Sequence, residues 1–265
     1  MNIIGIQLDS VWEDKAANHE KAHKLIEKAR PRAGSLVLLP EMFATGFSMN
    51  VAAIHDSDSR ETQDFLSRTA AEFNIYLLGG VVTKDANGRG RNECVVYAPD
   101  GREHARYTKM QPFTLGGESD HYVAGREICL FEWNGFTVAP FICYDLRFPE
   151  IFRVAAARGA DLMSMIASWP VTREDHWVSL LEARAIENQA CVAGVNRCGR
   201  DPKLYHSGRS RIIDYSGKVL TEAGSEECTI GAEVSLDDLL AYRRMLPFLT
   251  DMRSMSVGDQ KLSGR

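Results

Sequence analysis

An α/β fold is predicted by three features of the sequence: strand-length apolar runs alternate with amphipathic stretches, at least one run is apolar without interruption, and turn or capping residues fall between them. Ile3 to Leu8 has strand composition. Asp14 to Ala29 follows with Ala22, Leu25, Ile26 and Ala29 on one helical stripe, and Gly34 is the expected stop. Ser35 to Leu39 is the uninterrupted run, as expected of a strand buried on both faces, and it ends at Pro40-Glu41. Ser59 to Asn74 carries Phe65, Leu66, Thr69, Ala70 and Phe73 at helical spacing, and Ile75 to Val82 is the next strand.

Hairpin signals come next. Gly88-Arg89-Gly90 reads as a hairpin tip, Glu93 to Ala98 as a strand, and Pro99-Asp100-Gly101 as the turn returning through Tyr107 to Lys109. Asn134-Gly135 between Cys129–Trp133 and Phe136–Cys143 is the strongest short-range hairpin cue. Pro149 fits the first position of a helix closed by Gly159. Leu162 to Ser168, a helix from Asp175 to Gln189 with Trp177, Leu180, Leu181 and Ala185 inward, and Cys191 to Asn196 continue the alternation. Strands around a Tyr215-Ser216-Gly217 turn occupy Arg209 to Ile230. One domain is expected over residues 1–254, with 255–265 as a C-terminal arm or disordered tail rich in Ser, Gly and charge.

A chain of 265 residues, 45% hydrophobic and 25% charged, can bury a core without metal or disulfide staples. Its net charge of -5, with no basic run, argues against nucleic acid as a partner. The first nine residues lack a basic segment and are too short an apolar stretch for a signal peptide or a membrane span, so the expected setting is cytoplasmic. The six cysteines, at 94, 129, 143, 191, 198 and 228, form no C-x-x-C and need not pair.

Nucleophilic catalysis needs a nucleophile, a base and a stabiliser of developing charge, brought together by a rigid scaffold. Cys143, Glu41 and Lys109 each stand at or just beyond the end of a strand, where α/β sheets place their sites. Composition and periodicity go no further. Leu39-Pro40-Glu41, Tyr107-Thr108-Lys109 and the decapeptide Phe141 to Glu150, however, resemble the three signature blocks of the nitrilase (carbon-nitrogen hydrolase) superfamily, in order. The likeness extends through Gly117-Glu118, Ser168-Trp169-Pro170, His176-Trp177 and Ala183 to Gln189, and is greatest to the omega-amidase branch. One departure follows the lysine: Met110-Gln111 stands where members commonly carry His and Leu.

The resemblance implies a four-layer α-β-β-α sandwich, a homodimer or larger homo-oligomer, and a thiol amidase with Cys143 as nucleophile, Glu41 as proton-transfer base and Lys109 as charge stabiliser. It makes Glu118 a second carboxylate that orients the lysine. The backbone N–H of Tyr144 is a candidate donor to the oxyanion. No cofactor and no metal are needed by that chemistry. The expected substrate is the terminal amide of a small carboxylic or 2-oxo acid, such as 2-oxoglutaramate or 2-oxosuccinamate; deaminated glutathione, a nitrile or an N-carbamoyl compound are the alternatives. Arg147 is expected either to grip a substrate carboxylate or to form a structural pair with Asp145 or Glu150. Phe47, Phe113, Tyr122, Ser168 and Trp169 are the expected pocket residues.

Three other patterns compete. His19-Glu20-Lys21-Ala22-His23 satisfies H-E-x-x-H, with Glu41 available as a third zinc ligand. The two histidines nevertheless project roughly 70° and 110° from the apolar stripe, on the flank expected to face water. His206-Ser207-Gly208 with Ser210 invites a serine-hydrolase reading, but there is no G-x-S-x-G, and a turn before a strand is expected. A non-catalytic binding protein on the same fold is the third; against it, all four expected functional residues are present.

Overall fold

The computed structural model describes residues 1–253, so the arm expected at 255–265 lies outside the described residues. The elements run β1 (Asn2–Gln7), α1 (Lys15–Ala29), β2 (Leu36–Leu38), α2 (Val51–Ile54), α3 (Glu61–Phe73), β3 (Tyr76–Lys84), β4 (Gly90–Tyr97), β5 (Glu103–Thr108) and α4 (Glu118–His121). The second half runs β6 (Phe131–Trp133), β7 (Phe136–Ile142), α5 (Pro149–Ala157), β8 (Leu162–Ala167), α6 (Glu174–Asn188), β9 (Cys191–Asn196), β10 (Cys198–Arg200), β11 (Tyr205–Ser207), β12 (Arg211–Ile213), β13 (Val219–Glu222), β14 (Cys228–Glu233) and α7 (Leu236–Met245).

Two six-stranded sheets result, ordered β14-β1-β2-β3-β4-β5 and β13-β12-β9-β8-β7-β6. Each has three parallel strands at its centre (β1, β2, β3 and β7, β8, β9) and antiparallel strands outside. Side-chain alternation builds the layers. Ile3, Leu36 and Leu38 enter the core shared with the second sheet, whereas Ile4, Ile6, Val37 and Leu39 pack with Ala22 and Ile26 of α1 and Phe65 and Leu66 of α3. Phe152 of α5 and Trp177 and Leu181 of α6 join the core of the second sheet, giving the order helices, sheet, sheet, helices. Each fully buried Leu or Ile contributes roughly 1.5–3 kcal/mol.

Local chemistry explains most boundaries. Asp14 caps α1 through the Ala17 N–H at 3.0 Å. That helix stops at Arg30 in the left-handed region (φ 49°), four residues before the expected Gly34. Asn134 and Gly135, both at positive φ (47° and 90°), make the β6–β7 turn, with Trp133 opposite Phe136. His206 and Ser207, expected in a turn, lie instead in β11, paired across to β10.

Candidate active site

The parallel strands of both sheets end at the same edge of the sandwich. Glu41 follows β2, Lys109 follows β5, Cys143 follows β7 and Ser168 follows β8. Glu41 is held from both sheets: its Oε1 accepts from Lys109 Nζ at 2.8 Å and Asn92 Nδ2 at 2.7 Å, and its Oε2 from the Ser168 N–H at 2.8 Å. Gly80 of β3 permits this approach, because a Cβ there would lie 2.2 Å from the Met42 nitrogen and 2.8 Å from the Glu41 carbonyl carbon.

Lys109 is 1% exposed, and its ammonium lies 2.8 Å from Glu41 and 2.8 Å from Glu118. Glu118 is positioned in turn by Asn92 Nδ2 at 2.8 Å and the Phe113 N–H at 2.5 Å. Burial disfavours the ammonium, but Glu118 and Glu41 outweigh it and hold the Lys109 pKa well above its usual range. The lysine therefore stays charged and its two carboxylates are hydrogen-bonded, which is how a buried charge cluster is tolerated.

Cys143 opens a 3-10 turn, Cys143–Arg147, with φ at 46°, a conformation rare outside glycine and frequent where strain serves a site. Tyr144 follows in the first turn, where N–H groups lack intrahelical acceptors. Desolvation, then the charge of Glu41, raise the thiol pKa well above its ordinary value; Lys109 and the Ser168 N–H oppose this only in part. Asp145 ties the cysteine turn to the lysine strand: its carboxylate accepts from Tyr107 Oη at 2.8 Å, the Ile142 N–H at 2.9 Å and the Gln111 N–H at 2.9 Å.

Beside the thiol lies a small cleft open to solvent. Of the expected residues, Phe47, Phe113, Cys143, Tyr144, Arg147, Ser168 and Trp169 line it. Glu41, Lys109 and Glu118 are buried and do not line it; the Phe47 ring covers the Lys109 ammonium, with Nζ 5.3 Å from its centroid.

Tyr122 does not wall the cleft. It packs in a separate cluster with Met42, Val51, Ile54 and Val82, and its hydroxyl donates to the Ser48 carbonyl at 2.6 Å, because the chain leaves α4 at Tyr122 in extended backbone bridged to Gly90. The structural pair weighed for Arg147 is also absent: Asp145 is occupied as described, and Arg147 stacks over Trp169 with Cζ 4.7 Å from the ring centroid. The H-E-x-x-H histidines do not converge on Glu41. His19 stacks on Phe65 of α3 at 4.5 Å and hydrogen-bonds Thr62 at 3.2 Å, so its flank meets a neighbouring helix and not water, and burial lowers its pKa to about 4. His23 bonds Glu72 at 3.0 Å. Among the described residues no group of three or more His, Cys, Asp or Glu side chains could hold a metal ion.

Several residues of the site were not singled out from sequence. Asn92 joins Glu41 to Glu118, and its signal was a lone amide just before the strand-like run that begins at Glu93. Asn196 clamps the Ser168–Trp169 segment, accepting from the Trp169 N–H at 2.7 Å and donating to the Trp169 carbonyl at 3.0 Å. Arg173, Asp201 and Leu204 line the cleft with no local pattern to mark them, and His206 lines it too, although its stretch was expected to be only a turn before a strand.

Residues 5–244 match the carbon-nitrogen hydrolase family. The chain is 37% identical over 249 residues to a 2-oxoglutaramate amidase of Bacillus subtilis, covering 94% of this chain and 96% of that protein. It is 39% identical over 248 residues to the omega-amidase YafV of Yersinia enterocolitica, covering 93% and 94%. Among solved structures, XC1258 of Xanthomonas campestris, a CN-hydrolase superfamily protein, superposes with a TM-score of 0.90 at 34% identity, covering 97% of this chain and 99% of that one. Nit3 of Saccharomyces cerevisiae, a nitrilase-superfamily member, gives 0.86 at 27% identity, covering 96% and 97%.

Proposed function

Because the chain belongs to the carbon-nitrogen hydrolase family, we propose that it hydrolyses the terminal amide of a small carboxylic or 2-oxo acid, such as 2-oxoglutaramate or 2-oxosuccinamate, through a thioester on Cys143. The observation that supports this reading is the buried Lys109 ammonium held between two carboxylates, one of them Glu41, at the strand ends beside a cleft-lining thiol.

The thiol rests protonated, so attack and proton removal are coupled: as the sulfur bonds to the amide carbon, Glu41 takes the thiol proton. The carbonyl oxygen becomes an oxyanion, stabilised by Lys109 and the Tyr144 N–H. When the intermediate collapses, the carbon–nitrogen bond breaks, the nitrogen receives the proton from Glu41, and ammonia leaves. Water then attacks the thioester while Glu41 accepts its proton; the second oxyanion meets the same donors, the carbon–sulfur bond breaks, and the proton returns to sulfur. Glu118 fixes Lys109 in place throughout and offsets its charge. Phe47, Phe113, Ser168 and Trp169 shape the cleft, and Arg147 holds a substrate carboxylate.

No helix among the described residues is long and apolar enough to cross a membrane. We take the enzyme to act in the cytoplasm, as a homodimer or larger homo-oligomer in keeping with the family resemblance. Ammonia release from 2-oxoglutaramate, deaminated glutathione, an aliphatic nitrile and N-carbamoylputrescine, with wild type and Cys143→Ala in parallel, tests the function. The highest kcat/KM is expected on 2-oxoglutaramate, and none on any substrate after the substitution. Equal rates in the two proteins contradict thiol catalysis, and preference for the nitrile contradicts the amidase assignment alone.

A further inference from the structure

The cleft carries two guanidiniums, and only one of them has a role in the scheme above. Arg173 ends the short turn Val171–Arg173 behind β8, and its carbonyl accepts from the Trp169 indole N–H at 2.6 Å, which fixes the turn to the cleft wall. Its guanidinium stacks over Phe113 with Cζ 5.4 Å from the ring centroid, while that of Arg147 stacks over Trp169. Both line the same cleft, and desolvation, then the charge of Arg173, depress the pKa of Arg147.

Elsewhere arginines near the core hold carboxylates, as Arg106 holds Glu93 and Arg243 holds Asp161. Among the described residues neither cleft arginine has such a partner; Arg147 donates to His176 Nδ1 at 3.2 Å, and Arg173 approaches only the Thr172 hydroxyl at 3.5 Å. Two like charges side by side on aromatic faces are stabilised in part by the rings. A carboxylate between them relieves the remaining repulsion and satisfies their donors with charge-assisted bonds.

Resting on the amidase reading, we propose that Arg173 is a second specificity-determining residue that grips the carboxylate end of the substrate together with Arg147, so that the cleft selects anionic amides over neutral ones of the same length. The test compares glutaric acid monoamide with its methyl ester, two amides of nearly equal size differing in charge, in wild type, Arg173→Gln and Cys143→Ala. Arg173→Gln is expected to lower kcat/KM on the acid about 10- to 100-fold, mainly through KM, and to leave the ester within about twofold. Retained ester turnover also shows that the variant is folded. A proportional loss on both substrates, or no loss on either, overturns the role of Arg173 while leaving the amidase intact. Ammonia release by wild type no faster than by Cys143→Ala overturns the amidase reading and this inference with it.

Discussion

A thiol that desolvation and a neighbouring carboxylate keep protonated is a weak nucleophile until a base acts, and this sets the demand on Glu41. Replacing Glu41 by Gln preserves its shape and removes its basicity, so kcat should fall about 10²- to 10⁴-fold with KM little altered; steady-state kinetics on the preferred amide checks it, and unchanged kcat would assign the proton elsewhere. A raised thiol pKa also has a direct readout. Alkylation of Cys143 by a small neutral reagent, followed by peptide mass, should still be accelerating at pH 9, whereas a plateau near neutrality would mean a resting thiolate. At this scale the sequence was legible where residues sit inside contiguous blocks: Cys143, Glu41, Lys109 and Glu118, which the structure brings together, were singled out through such blocks. Asn92 and Arg173 were not, because each meets neighbours far away in the chain, and Tyr122 was misplaced because an aromatic near a site says nothing about which way its backbone turns it.

At the level of elements, the site depends on how closely β3 can approach the end of β2. A methyl group at Gly80 would collide with the backbone of Glu41 and Met42, and backbone cannot yield as a side-chain tip can. Gly80→Ala is expected to cost about 1–3 kcal/mol of stability and to lower kcat up to about 100-fold by displacing Glu41. Denaturant melts and kinetics on the same preparation check both, and wild-type kcat in the variant would mean that Glu41 tolerates the shift. Elements with strong local chemistry were readable: the Asp14-capped α1, the Asn134-Gly135 hairpin and Pro149 opening α5 occur as their residues dictate. Helix α7 was missed although Ser235 caps it, accepting from the Asp238 N–H at 3.2 Å, a Ser-x-x-Asp signal that the hydrophobic pattern alone does not reveal. His206 was misread because a three-residue strand leaves almost no periodicity to detect.

For the whole molecule, the alternation of strands and helices was enough to predict an α/β fold, but two sheets face to face came only from the family resemblance. Single-strand patterns report burial on both faces without saying what covers each. The sandwich buries one carboxyl whose titration should be felt globally. Desolvation raises Asp145 from 3.8 to about 7, against the hydrogen bonds it accepts. The folded state thus binds its proton more tightly than the unfolded chain, so this contribution is fully present below about pH 4 and is lost as pH rises through 7. Thermal melts of wild type and Asp145→Asn across that window should show the wild type losing ground relative to the variant with increasing pH; a constant difference would mean that Asp145 is already ionised at pH 4.

The most direct measurement on the central claim is the mass of the Cys143 peptide from enzyme quenched in acid during turnover of 2-oxoglutaramate. The mechanism predicts an acyl group on Cys143 that disappears when substrate is exhausted. Steady ammonia release from a protein whose Cys143 peptide never gains mass, even when Glu41→Gln slows both half-reactions, would contradict it.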